Sequence, residues 1–236
     1  DHYLANNPHL RPPRVWKSLV NGAEVFPASR TLARFNDWHA ANRFTSACSP
    51  EIYRDRLLGD EFYGNAFICE PVHNLVHREV VTEDGYSFSG HRTTADSETE
   101  FLTSTDNWFR PAMVRTGPDG ALWIADMYRF VIEHPEWIPR DWQRKLDLRA
   151  GETRGRIYRV VPANSPPARL PQLDRLEPGQ LVSLLESPNG VVRDLAQQLL
   201  IWQENPSATQ PLVRLASNSS EPLGRLHALC TLDGLG

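Results

Sequence analysis

Long apolar runs are missing from this 236-residue chain, and no stretch approaches the ~18 residues of a membrane span. Neither sign of charge dominates. The net charge of −4 carries no signal for a polyanionic partner, so nucleic acid is not expected to bind. Cysteine is scarce, with Cys48, Cys69 and Cys230 as the whole supply. None forms a C-x-x-C pair, which excludes a zinc ribbon or a c-type haem attachment within these residues. There is no serine nucleophile elbow, no H-E-x-x-H, no phosphate-binding P-loop and no dinucleotide glycine fingerprint. Hydrolase, NTPase and nicotinamide-dehydrogenase readings therefore have no motif behind them. An opening methionine and a secretory leader are also lacking, so the chain reads as an excerpt of a longer protein and its ends say nothing about compartment.

What is present is the composition of an ordinary globular protein, 40% hydrophobic and 23% charged. The grammar changes near Pro162. Before it lie short β-branched and aromatic runs bounded by Gly, Pro, Asn and Asp, which predict strands. These are 51–54, 65–70, 75–81, 86–91, 112–116, 121–126 and 156–161. Residues 163–180 open as a proline-rich linker. From 181 the apolar period becomes helical, in "LVSLLES", "VVRDLAQQLLIWQ", "QPLVRLAS" and "PLGRLHALCTL". The stretch 140–159 holds seven basic and three acidic residues and reads as a solvated, ion-paired loop.

Both parts repeat internally. "GNAFICEPVHNLVHR" lies over "GALWIADMYRFVIEH", so that Phe67 meets Trp123, Ile68 meets Ile124 and Glu70 meets Asp126, 56 residues later. A repeat of roughly 50 residues built from short antiparallel strands predicts β-propeller blades. In the second part, "VVRDLAQQLL" matches "LGRLHALCTL", with Arg193 falling on Arg225 at a step of 32. That is the grammar of HEAT-type helix pairs. The predicted fold class is β + α multidomain. Residues 1–162 form a partial β-propeller of about two blades plus a closing strand, and 181–236 form HEAT-like repeats.

Several residues could carry chemistry. "GPDG" at 117–120 predicts a tight hairpin turn with Gly120 at positive φ. The strand after it delivers Asp126, Met127 and Tyr128 to one mouth of a propeller, where such folds bind ligands. Asp126 is a metal or cofactor ligand, a base, or a turn-closing carboxylate that accepts backbone N–H bonds. His73 is a base, a ligand of an anion, or a loop histidine. His77 sits within a strand and reads as part of its face. Arg110, held extended by the following proline, clamps a carboxylate or pairs with Asp106. His134 reaches the mouth or is a structural loop histidine. Cys48 and Cys69 either pair in an exported protein or are two buried thiols.

The motifs "RTLARFNDWHAANRFTSACSPEIYRD", "FICEPVHNLVHREV", "TGPDGALWIADMYRFVIEHPEWIP" and "GRIYRVVP" resemble a planctomycete-type family of haem-binding proteins labelled membrane-bound dehydrogenases. The resemblance implies a propeller similar to quinoprotein glucose dehydrogenase, then HEAT repeats, then a cytochrome c domain outside these residues that carries haem c. It implies pyrroloquinoline quinone (PQQ) and Ca²⁺ as cofactors, a sugar or alcohol as substrate, and a periplasmic or extracytoplasmic, membrane-associated setting. Carried onto this chain, it puts His73 at the place of a basic residue facing the quinone. Arg110 falls near a cofactor-carboxylate arginine, and Asp126 and Tyr128 fall near another cofactor-facing loop. It places the catalytic histidine and the calcium segment in earlier blades. The expected function is an oxidoreductase passing electrons to haem c. The alternative is a non-catalytic scaffold binding a glycan or protein, and a propeller hydrolase of the lactonase type, with Glu70, Asp126 and a further carboxylate around a metal, is a third reading.

Overall fold

A computed structural model describes residues 23–30, 42–165, 170 and 172–236. Residues 1–22 and 31–41, which include part of the first family-like motif, and 166–169 and 171 of the proline-rich linker lie outside the described residues. The chain is a β + α protein: two antiparallel sheets, neither closed on itself, followed by helices.

The first sheet orders β1 (Cys48–Ile52), β2 (Ala66–Glu70), β3 (Leu75–Asp84) and β4 (Ser87–His91), with β5 (Leu102–Thr103) pairing the start of β3. The second orders β6 (Pro111–Thr116), β7 (Leu122–Asp126) and β8 (Arg156–Val160). Period-two alternation explains the middle strands. In β7, Leu122, Ile124 and Asp126 point inward while Trp123 and Ala125 are half-covered. In β6 the alternation slips at Ala112 and Met113, where the register shifts by a bulge. A second bulge lies between Cys48 and Glu51, at Ser49 with φ 50°. It starts β1 three residues before the strand expected at 51–54.

The two sheets share one core of Tyr53, Phe67, Cys69, Val76, Phe109, Val114, Leu122 and Ile124. Phe67 packs edge-on against Phe101 at 4.7 Å and against Tyr53 at 6.1 Å. Burying each of the larger apolar side chains contributes roughly 1.5–3 kcal/mol. The turn expected at 117–120 forms: Gly120 has φ 81°, and Gly117 N donates to Ala121 O at 2.8 Å.

In the stretch 140–159 a short helix α1 (Arg140–Gln143) precedes a loop whose ion pairs, Arg144–Asp141 and Arg149–Glu152, are exposed. The C-terminal helices are α2 (Pro178–Ser183), α3 (Gly190–Gln203), α4 (Thr209–Asn218) and α5 (Pro222–Leu235). They enclose Leu181, Leu185, Ala196, Leu200, Leu212 and Ala228. A local bond recurs in them. Arg193 donates to Ser187 O at 2.6 Å, and 32 residues later Arg225 donates to Ser219 O at 2.8 Å. Among the described residues no helix is long and apolar enough to cross a membrane.

The helices dock directly on the sheets. Asn189 caps α3 by accepting from Val192 N at 3.0 Å, and its Nδ2 donates to Gly117 O at 2.8 Å. Gly190 N donates to Arg54 O at 2.8 Å, and Arg54 pairs with Asp194 of α3. A Cβ at Gly190 would meet Arg54 Cβ at 2.8 Å, so this approach requires glycine.

Candidate functional site

His73, Arg110, Asp126 and Tyr128 belong to one connected set. β2 ends at Glu70 and turns through Pro71–His73 into Asn74, whose φ of 58° suits asparagine. The Arg110 guanidinium reaches across to that turn. Its Nη1 donates to Pro71 O at 2.9 Å and Val72 O at 3.2 Å, its Nε to Arg129 O at 2.9 Å and its Nη2 to Phe130 O at 2.9 Å. Arg110 is 6% exposed. It therefore ties the end of β2 to the segment after β7. Asp106, the acid expected beside it, instead accepts from Tyr128 Oη at 3.0 Å and Trp108 N at 2.9 Å.

Asp126 Oδ1 accepts from Arg110 N and Tyr128 N, both at 2.8 Å. Its Oδ2 is buried with no hydrogen-bond partner, and Arg156 Nε stands 3.8 Å away. Tyr128 holds a left-handed backbone at φ 50°. The Arg156 guanidinium lies 3.8 Å above its ring, and Trp108 packs at 5.7 Å.

His73 is 5% exposed and has both ring nitrogens engaged. Nε2 accepts from Asn42 N at 3.0 Å, and Nδ1 faces Glu70 Oε1 at 3.3 Å. With Nε2 accepting, Nδ1 is the ring nitrogen left to donate to Glu70. Glu70 also accepts from Ser46 N and Ser46 Oγ, the latter at 2.6 Å, and from Thr45 N at 3.2 Å. Burial alone would push its carboxyl up, but the bonds from His73 and Ser46 outweigh that and hold it below the ordinary carboxylate value. His134 caps a loop: its Nδ1 accepts from Glu136 N at 3.2 Å.

A family model described as a domain of unknown function, DUF7133, matches residues 1–164. The chain belongs to the DUF7133 family. No curated protein and no solved structure matches it. The DUF7133 match ends just past β8, so the helices α2 to α5 lie outside it.

Within the DUF7133 region a second buried network passed unnoticed in the sequence. His77 Nδ1 lies 2.7 Å from Glu100 Oε2, and Glu100 Oε1 accepts from Arg92 Nη2 at 2.7 Å and Phe26 N at 3.0 Å. Glu100 is pushed up by burial and pulled down further by His77 and Arg92, so its carboxyl stays below the ordinary value. Its only sequence signal was an acid just before the apolar Phe101–Leu102 pair. Asn74 was missed as well; its Nδ2 bonds Asn107 O at 3.2 Å and Phe109 O at 2.5 Å.

Clefts of about 320, 420 and 520 Å³ open elsewhere on the surface. They lie between the sheets and α5, along α3, and beside 135–143, and His73, Arg110, Asp126 and Tyr128 line none of them. Among the described residues no three His, Cys, Asp or Glu side chains come together to hold a metal ion.

Proposed function

We propose that this chain is a non-catalytic binding scaffold, in which the end of a β-propeller carries HEAT-type helix pairs and recognises a glycan or protein in an extracytoplasmic setting. One observation supports this above the rest. Arg110, His73 and Oδ1 of Asp126 spend their hydrogen-bonding capacity on the chain's own backbone and on Glu70. Such residues build loops rather than seize ligands. The propeller reading draws on two successive antiparallel meanders that share a core, and the HEAT reading on the 32-residue step. For ligand contact the molecule offers exposed aromatics: Tyr86 and Phe88 on the β3–β4 arm, and Trp137 and Trp142 near α1. Such side chains anchor interfaces.

The same residues do not fit PQQ. Its carboxylates need cations with N–H groups to spare. Here the guanidinium of Arg110 is aimed at carbonyls, and the unpartnered oxygen of Asp126 would face further negative charge. The oxidoreductase reading keeps one observation in its favour. A buried carboxylate oxygen that has only a distant ion pair to Arg156 and no hydrogen-bond donor is costly, and a ligand hydroxyl or a cation at Asp126 Oδ2 would relieve it.

Calorimetry on the full-length protein separates the two readings. The scaffold reading expects no heat from PQQ with or without Ca²⁺, and glycan or protein binding that weakens in Tyr86→Ala or Trp137→Ala. Micromolar PQQ binding that is lost in Asp126→Asn, with sugar- or alcohol-dependent dye reduction, would overturn it.

A further inference from the structure

Cys48 and Cys69 stand directly opposite each other in the antiparallel register of β1 and β2. Both are free thiols. Directly opposed residues send their side chains to one face, with Cα atoms about 4.5 or 5.5 Å apart depending on the class of pair. A disulfide spans Cα separations of about 4.4–6.8 Å, so either class accommodates the bond. Cys48 packs against the same core cluster that contains Cys69. Cys48 Sγ otherwise makes a long 3.7 Å contact to Ala112 O, and the adjoining bulge at Ser49 leaves β1 room to adjust. The second meander has Met113 opposite Ala125 at the matching place, so an opposed thiol pair is not a requirement of this architecture.

We propose that Cys48 and Cys69 are a covalent cross-linking site that closes a cross-strand disulfide between β1 and β2. The step is thiol–disulfide exchange with an external disulfide, such as oxidised glutathione or a disulfide oxidoreductase. The thiolate of Cys48, the more exposed of the two, attacks one sulfur of that disulfide and expels the first thiol. Cys69 then loses its proton and attacks Cys48 Sγ, forming the protein S–S bond and expelling the second. Two protein thiols are oxidised, one external disulfide is reduced to two thiols, and the proton count is unchanged.

Burial pushes the Cys69 thiol up to about 12, which leaves little thiolate at neutral pH. Cys69 is also sealed in the shared core, so an external disulfide reaches it most readily while β1 and β2 assemble. The bond fastens the strand just beyond Thr45 and Ser46, the residues that Glu70 holds. Cys230 is exposed on α5 and stays outside the pair.

The test refolds the reduced full chain in a glutathione redox buffer, blocks free thiols with N-ethylmaleimide and maps peptides by mass spectrometry. The expected result is one peptide pair joined through Cys48 and Cys69, with Cys230 carrying the label, and the same linkage in Cys230→Ser. Protein exported to an oxidising compartment and trapped on lysis should show the same pair. Alkylated or glutathione-capped Cys48 and Cys69 in both preparations, or a bond from either to Cys230, overturns the proposal.

Discussion

Glu70 and Asp126 do the same work at the same place in two successive meanders. Each ends the second strand of its meander, β2 in the first and β7 in the second, and turns a buried carboxylate toward the segment leading into the first strand. Glu70 takes the N–H groups of Thr45 and Ser46, and Asp126 takes that of Arg110. The 56-residue step seen in the sequence is therefore a repeated joint as well as a repeated strand. Removing Glu70 takes the acceptor from Ser46 N and Oγ, and removing Asp126 takes it from Arg110 N and Tyr128 N. Glu70→Ala and Asp126→Ala should each cost about 2–4 kcal/mol in urea unfolding. A loss below half a kcal/mol at both would mean the joints bear no load.

Acid should act on the same joint. Glu70 and Glu100 are both held below the ordinary carboxylate value of 4.5. A carboxyl whose folded value is depressed contributes stability that is fully present above its unfolded value. That stability is lost as pH falls through the folded one. Unfolding free energy should therefore decline from about pH 4.5 downward. Glu100→Gln should be less stable than wild type at pH 7, with the gap narrowing at acid pH. A gap that is constant with pH would contradict the assignment.

Arg110 gives the sharpest separation between architecture and ligand binding. Arg110→Ala takes the donor from the buried Pro71 carbonyl and from the half-buried carbonyls of Arg129 and Phe130, and should cost roughly 3–4 kcal/mol. Arg110→Lys should recover less than half of that, because an ammonium cannot fan out to carbonyls on two segments. A stable, well-folded Arg110→Ala protein would show that the guanidinium is held for some other purpose.

The junction between sheets and helices hangs on two adjacent residues. Asn189→Ala removes a helix cap and the bond to Gly117 O, and should cost about 1–3 kcal/mol. Gly190→Ala, at the close approach to Arg54, should loosen docking while leaving helix content intact. Proteolysis of the proline-rich segment should quicken in that variant, and circular dichroism should not change.

Much of this was legible residue by residue. The strands at 66–70, 111–116, 122–126 and 156–160 and the helices α3, α4 and α5 follow from period-two and period-3.6 patterns, because burial on one face writes such patterns directly. The boundaries of β1 were not legible, since the bulge at Ser49 changes the pairing without changing composition. β5 is two residues long and carries no period. The structure brings His73, Arg110, Asp126 and Tyr128 into one neighbourhood, while their hydrogen-bond partners were hidden in the sequence. Whether an arginine reaches a ligand or four backbone carbonyls depends on loops that meet only in three dimensions. Glu100 and Asn74 are short-range unremarkable and matter through contacts to Phe26, His77 and Phe109.

The contact of Asn189 and Gly190 with the sheet makes the turn at Gly117 the pivot of a lever. Helix α3 extends 14 residues from it, about 21 Å at 1.5 Å per residue. A tilt of roughly ten degrees at the pivot would carry the far end of that helix by about 4 Å over that length. Every helix stacked further out inherits and enlarges the swing. The aim of the helical arm is thus set by a handful of atoms at the Gly117 turn and at Arg54.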